Sequence, residues 1–143
     1  MTIVQPQIVT RPSVAECDWA QIAGAAPQLA ATARRYLAPL ELSLHPSTVA
    51  RTSDSLRRFG RHLVSCHPAL TRFSEVGRAE VESYKLALAA HVTARGTPLK
   101  VNTLRMRLGM LMTFFDRIIE WGYDDAPARN PWLSRCVYPV CSA

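Results

Sequence analysis

Two runs of cationic side chains concentrate the chemistry available to this sequence. Residues 48–72 hold Arg51, Arg57, Arg58, Arg61 and Arg72 against the single acid Asp54, and residues 95–107 hold Arg95, Lys100, Arg105 and Arg107 with no acid, so each run nets +4. Guanidinium groups present paired N–H donors that match phosphate oxygens and guanine edges. Residues 116–125 have the opposite sign, with Asp116, Glu120, Asp124 and Asp125 against Arg117 for a net charge of −3. The whole chain carries 17 basic and 11 acidic residues, a formal charge of +6, and a pI near 9.6. That balance suggests an anionic partner, nucleic acid ahead of a membrane surface. Fifteen of the 17 basic residues are Arg, which favours bidentate contacts, although a GC-rich coding genome gives the same bias and arginines also simply solvate exposed faces.

Other reactive side chains carry less. His62 and Cys66 lie four apart on one helix with His67 adjoining, a spacing that suits two metal ligands, and Cys136 and Cys141 are the remaining candidates to complete such a set. No second pair with matching spacing accompanies them, so the sequence assigns no metal and no cofactor. Cys17, Cys66, Cys136 and Cys141 are unevenly spaced, and Met1 to Pro12 lacks an export-signal design. Reduced thiols in a cytoplasmic protein are expected. No window reaches the ~18 consecutive apolar residues that span a bilayer, so no membrane partner is expected. Tyr138 is the one tyrosine of the tail, and without a basic pocket its phenol is a poor nucleophile.

The elements that must position these groups read as helices. With 143 residues the chain accommodates one domain with a real core. Ala, Leu and Arg outnumber Val, Ile and Thr, which favours helix over sheet. The expected organisation is an irregular N-terminal arm over 1–26, a helical domain over 27–133 and a tail over 134–143. A first helix runs from Pro27 to about Leu37. A second spans about Pro46 to Cys66, with Val49, Leu56, Phe59, Gly60, Leu63 and Val64 on one arc and Arg51, Arg58 and Arg61 opposite. A third, about Arg78 to Ala94, buries Val81, Tyr84, Leu88 and Val92, with Gly77 as its cap and Gly96 beyond its end. The fourth begins at the Thr97–Pro98 signal and continues to about Trp121. Its two apolar stripes, Val101, Leu104, Leu108, Leu111, Phe115 and Ile118 on one side and Met106, Met110, Phe114 and Trp121 on the other, require cover from both sides. The second and third helices would cover one stripe, and the first helix or the tail the other.

The segments Thr48–Phe59 and Thr103–Phe115, followed by Gly122 and Asn130–Pro131, resemble the core-binding domain of tyrosine recombinases, the phage-integrase family. In that family one Thr opens a helix with apolar or aromatic residues four, eight and eleven places on, and a second Thr opens a helix ending in an aromatic pair. Thr48, Leu56 and Phe59 match the first pattern, with Thr52 where an aromatic is usual. Thr103, Leu108, Leu111, Phe114 and Phe115 match the second. The resemblance covers about residues 30 to 133 and implies an all-α, SAM-like compact bundle of four to five helices.

It also implies that helices of this domain lie against the major groove and backbone of double-stranded DNA, with other recombinase protomers as further partners. The two basic runs supply the residues expected to contact DNA: Thr48, Arg51, Arg57, Arg58 and Arg61 in the first, and Lys100, Asn102, Thr103, Arg105 and Arg107 in the second. An anion at the start of the fourth helix would meet free amides, the positive end of the helix dipole, Lys100, Asn102 and Thr103 together. The family's catalytic half supplies a nucleophilic Tyr and a His-x-x-Arg motif. No such motif follows His45, His62, His67 or His91, and 12 residues follow Pro131, so no enzyme activity is expected. The competing expectation is a helical protein-interaction module whose Met106, Met110, Phe114 and Trp121 stripe docks on a partner recombinase or on a second copy.

Overall fold

The computed structural model describes residues 14–91 and 96–132, with side chains from Asp18 onward. Five helices follow one another, α1 (Val14–Ala25), α2 (Pro27–Ser43), α3 (Pro46–Cys66), α4 (Arg78–Ala90) and α5 (Val101–Glu120), with a 3₁₀ turn at Phe73–Glu75. No strand occurs among the described residues, so the chain is an all-α bundle, as expected. No helix among them is long and apolar enough to cross a membrane.

Several expected helix bounds need correction. The arm over 1–26 is not irregular throughout, because α1 occupies Val14–Ala25. Its Ala-rich sequence carries little amphipathic pattern. Tertiary contacts reveal it instead, through Ile22 and Ala26 in the core and Asp18 paired with Arg57 of α3. The approach of α1 to α3 is close at Gly60, where an added Cβ would come 3.2 Å from Ile22 Cδ1. Secondly, α2 runs through Pro39 to Ser43 rather than stopping near Leu37. Proline deprives the Arg35 carbonyl of its helical N–H donor. The Tyr123 hydroxyl donates to that oxygen at 3.3 Å, while the Arg35 guanidinium lies 4.1 Å from the centre of the Tyr123 ring. Thirdly, α5 begins at Val101 with Lys100 as N-cap, three residues beyond Pro98, and no side chain caps its first turn.

The second expected helix matches α3 from Pro46 to Cys66, with His45 Nδ1 accepting from the Ser47 amide at 3.1 Å. α4 starts at the expected Gly77 cap, whose amide donates to Glu80 Oε2 at 3.0 Å. α4 ends at Ala90, where His91 is already extended as its C-cap, short of the expected end near Ala94; Val92 and the tail over 134–143 lie outside the described residues.

Cover on both faces of α5 is what the two stripes require. Phe115 meets Phe59 of α3 with ring centroids 6.1 Å apart, and Phe114 meets Tyr36 of α2 at 4.9 Å, edge to face. Phe73 of the 3₁₀ turn closes on Phe114 at 4.9 Å. From Phe59 the aromatic packing continues to Tyr84 of α4 at 5.0 Å and to Trp132 at 5.6 Å. Such edge-to-face pairs add about 0.5–1.5 kcal/mol each beyond their buried area. The core therefore reaches, through Phe59 and Tyr84, the place where α3, α4 and α5 meet.

Two polar staples fix the chain after α5. Asp125, buried despite belonging to the acidic segment, accepts from Thr32 Oγ1 at 2.9 Å, from the Phe73 amide at 3.1 Å and from the Ser74 amide at 3.0 Å. Asn130 donates to the Met112 carbonyl at 2.9 Å and to Asp116 Oδ1 at 2.8 Å, and accepts from the Trp132 amide at 2.9 Å.

Candidate nucleic-acid interface

α3 exposes one polar stripe because its apolar arc, Leu56, Phe59, Gly60 and Leu63, faces the core. Arg51 and Arg58, seven residues and about two turns apart, lie on that outer side with Arg61 one turn further on. The second basic run reaches the same region from α5. Arg107 sits one turn beyond Thr103 and turns toward α3 and α4, whereas Arg105 lies roughly 200° round the helix from it. The result is a cleft of about 290 Å³ between α3, α4 and α5. Arg57, Arg58, Arg61 and His62 form its α3 wall, Tyr84, Leu88 and His91 its α4 side, and Arg107 its α5 side.

The four arginines are not equivalent. Arg57 is buried and forms ion pairs with Asp18 of α1 and Asp54. It is expected among the DNA-contacting residues, and in the structure its guanidinium is taken up by the buried Asp18 and the half-exposed Asp54. Arg58 donates through Nε to Asp54 Oδ2 at 2.9 Å and stays half-exposed. Arg61 is 60% exposed, with Asp18 Oδ2 3.7 Å away. Arg107 is half-buried, and its Nη1 has no hydrogen-bond partner among the described residues.

The electrostatics follow from burial and from this crowding of like charge. Burial pushes the Arg107 pKa down, and repulsion from Arg58 and Arg57 adds to the effect. Burial pushes the Tyr84 phenol up, with Arg107 and Arg58 pulling the other way. For Asp54, burial acts upward but the hydrogen bonds and charges of Arg58 and Arg57 outweigh it, leaving the carboxyl below its ordinary value. His62 is lowered by burial and by the neighbouring His67. For Arg107 and His62 alike, desolvation and a neighbouring cation act in the same direction, against holding a further positive charge.

Of the other residues expected to contact DNA, Arg51, Lys100, Asn102 and Arg105 are exposed, and Thr48 and Thr103 are half-buried. None of these six lines the cleft. The Thr48 carbonyl accepts from the Thr52 hydroxyl at 2.9 Å, so part of what the first Thr of the pattern supplies is used within α3. Lys100 is the N-cap residue of α5, whose first turn no side chain caps. Tyr84 and His91 were not singled out for function. Tyr84 reads as core from its spacing with Val81 and Leu88, and only its hydroxyl, which a core residue must place somewhere, hints otherwise.

His62 Nδ1 and Cys66 Sγ are 3.7 Å apart, and His62 Nε2 lies 3.1 Å from Ser83 Oγ. Among the described residues no group of three or more His, Cys, Asp or Glu side chains is placed to hold a metal ion. The stripe expected as a docking surface is interrupted, since Phe114 is fully buried while Met106 and Trp121 are 37% and 44% exposed. Comparison with protein-family models, with curated proteins and with solved structures returns no match.

Proposed function

We propose that this chain is the DNA-binding module of a site-specific tyrosine recombinase or integrase, acting in the cytoplasm and contacting the backbone of double-stranded DNA through α3 and α5. The observation that carries the reading is the convergence of the two basic runs: Arg58 and Arg61 from one and Arg107 from the other line a single cleft, although Arg61 and Arg107 are 46 positions apart in the sequence. Arg51 on the same side of α3 and Lys100 at the start of α5 extend the cationic surface beyond the cleft. Arginines on neighbouring helices can grip successive phosphates, which positions the protein on a duplex independently of base sequence. The recombinase assignment rests on the Thr48–Phe59 and Thr103–Phe115 patterns and on the Asn130–Pro131 exit. The module contributes binding and no bond-breaking step, with the catalytic tyrosine supplied elsewhere.

The test is a duplex-binding titration at several salt concentrations. The natural chain is compared with an Arg58→Ala, Arg61→Ala, Arg107→Ala variant and with a Lys100→Ala, Arg105→Ala, Arg107→Ala variant. Removing one phosphate-bound cation should reduce the slope of log affinity against log salt by about 0.9. A reduction of about two to three units in the first variant is expected. Duplex binding with an unaltered slope in both variants refutes the interface.

A further inference from the structure

We infer that the cleft between α3, α4 and α5 is a seat for a single phosphate group, held by Arg58 and Arg107 and by the hydroxyl of Tyr84. The buried polar atoms point to a missing ligand. Tyr84 is only 4% exposed, yet its hydroxyl has no hydrogen-bond partner among the described residues. The ring cannot swing out to find water, because Phe59 packs on it at 5.0 Å and His62 at 5.3 Å. Arg107 Nη1 and Arg57 Nε are likewise buried and unpartnered, and all three residues line this one cleft. Buried donors without acceptors are costly, and native proteins keep few of them. Here they converge.

Charge gives the chemical class of the acceptor. Four guanidiniums line the cleft, and among the described residues the carboxylates paired with them are Asp18 and Asp54, which leaves two positive charges uncompensated within that set. A phosphate monoester carries about −1.5 to −2 at neutral pH and offers three acceptor oxygens. Its oxygens match in kind the donors that border the cleft, the Tyr84 O–H, the Arg107 Nη1–H and a terminal N–H of Arg58. A backbone phosphodiester offers two such oxygens and one charge. The proposal rests on the nucleic-acid reading only for the natural source of the phosphate.

Tyr84→Phe is the decisive variant, because it deletes an unpaired hydroxyl and nothing else. Inorganic phosphate is titrated into the full chain at constant ionic strength, with calorimetry for affinity and amide shifts for location. Saturable binding to one site is expected, with shifts at Arg58, Tyr84 and Arg107. In Tyr84→Phe the affinity should fall roughly tenfold, the value of one hydrogen bond to a charged acceptor, with no drop in thermal midpoint. Absence of saturation, or equal affinity in Tyr84→Phe, overturns the seat. Arg51→Ala, outside the cleft, should weaken duplex binding and leave phosphate affinity unchanged. If phosphate binds through Tyr84 while duplex does not bind, the seat stands and the nucleic-acid reading falls. If duplex binds equally well to Tyr84→Phe and phosphate does not bind, the reverse holds. Competition between duplex and phosphate makes the backbone the natural source, and simultaneous binding makes it a small phosphate monoester.

Discussion

Arg57→Met separates the structural arginine from the functional ones. The substitution removes the buried guanidinium that joins Asp18 of α1 to Asp54 of α3, at side-chain exposures of 9% for Arg57 and 8% for Asp18. Breaking a buried pair by removing one partner costs about 3–5 kcal/mol, mostly through the charge left stranded. Asp54 is 37% exposed and keeps Arg58, so its share is discounted, whereas among the described residues Asp18 retains only Arg61 at 3.7 Å. The lower end, about 3 kcal/mol, is therefore expected. That is a large part of a typical total of about 5–15 kcal/mol. At about 2–4 °C per kcal/mol the midpoint should drop by about 6–12 °C. Denaturant unfolding followed by circular dichroism gives the stability, and duplex titration well below the midpoint gives the salt slope, which should not change. Adding Asp18→Asn removes the stranded charge and should recover about 1–2 kcal/mol through coupling. A stability loss under about 1 kcal/mol together with a slope reduced by about 0.9 would show that Arg57 faces nucleic acid, and would refute the division of labour among these arginines.

Asp125→Ala should cost about 3 kcal/mol, because it frees the Phe73 and Ser74 amides and the Thr32 hydroxyl at once, and chemical denaturation reads the loss directly. Asn130→Ala should cost about 1–2 kcal/mol and increase quenching of the Trp132 indole, since its side chain ties Trp132 to α5; unchanged quenching would count against that tie. The pH dependence of stability should have two steps. His62 has a folded pKa below its ordinary value, so the unfolded chain takes up the proton first and stability falls as pH drops from about 6.5. The lowered carboxyl of Asp54 contributes above about pH 4, and that contribution is lost as pH falls through its folded value. His62→Gln should abolish the first step and leave the second, and thermal melts between neutral and acid pH check both.

Local sequence determined the helices and their inward faces. α3 follows from Pro46, a histidine cap and a continuous arc of Leu56, Phe59 and Leu63, and the double stripe on α5 requires the cover that α2 and α3 provide, because such signals repeat every turn within one segment. α1 escaped this reading. Its ordering comes from Ile22 against Gly60 and from Asp18 with Arg57, pairings of residues 38 and 39 places apart that no local period records. The passage of α2 through Pro39 was hidden for the same reason, since the oxygen that proline orphans is satisfied by Tyr123, 88 residues downstream of Arg35.

The charge runs were plain in the sequence, but their use was not. An arginine near two acids in space becomes a structural strut, as Arg57 does at the cleft wall, while Arg58, one residue on and about 100° round the helix, keeps a half-exposed guanidinium there. Tyr84 of α4 and Arg107 of α5 came to line one cleft only through the packing of their helices. Composition could establish that this protein is cationic and helical. Which cations remain free to meet an anion depends on which carboxylates the fold brings within hydrogen-bonding reach, and that is a property of three-dimensional proximity alone.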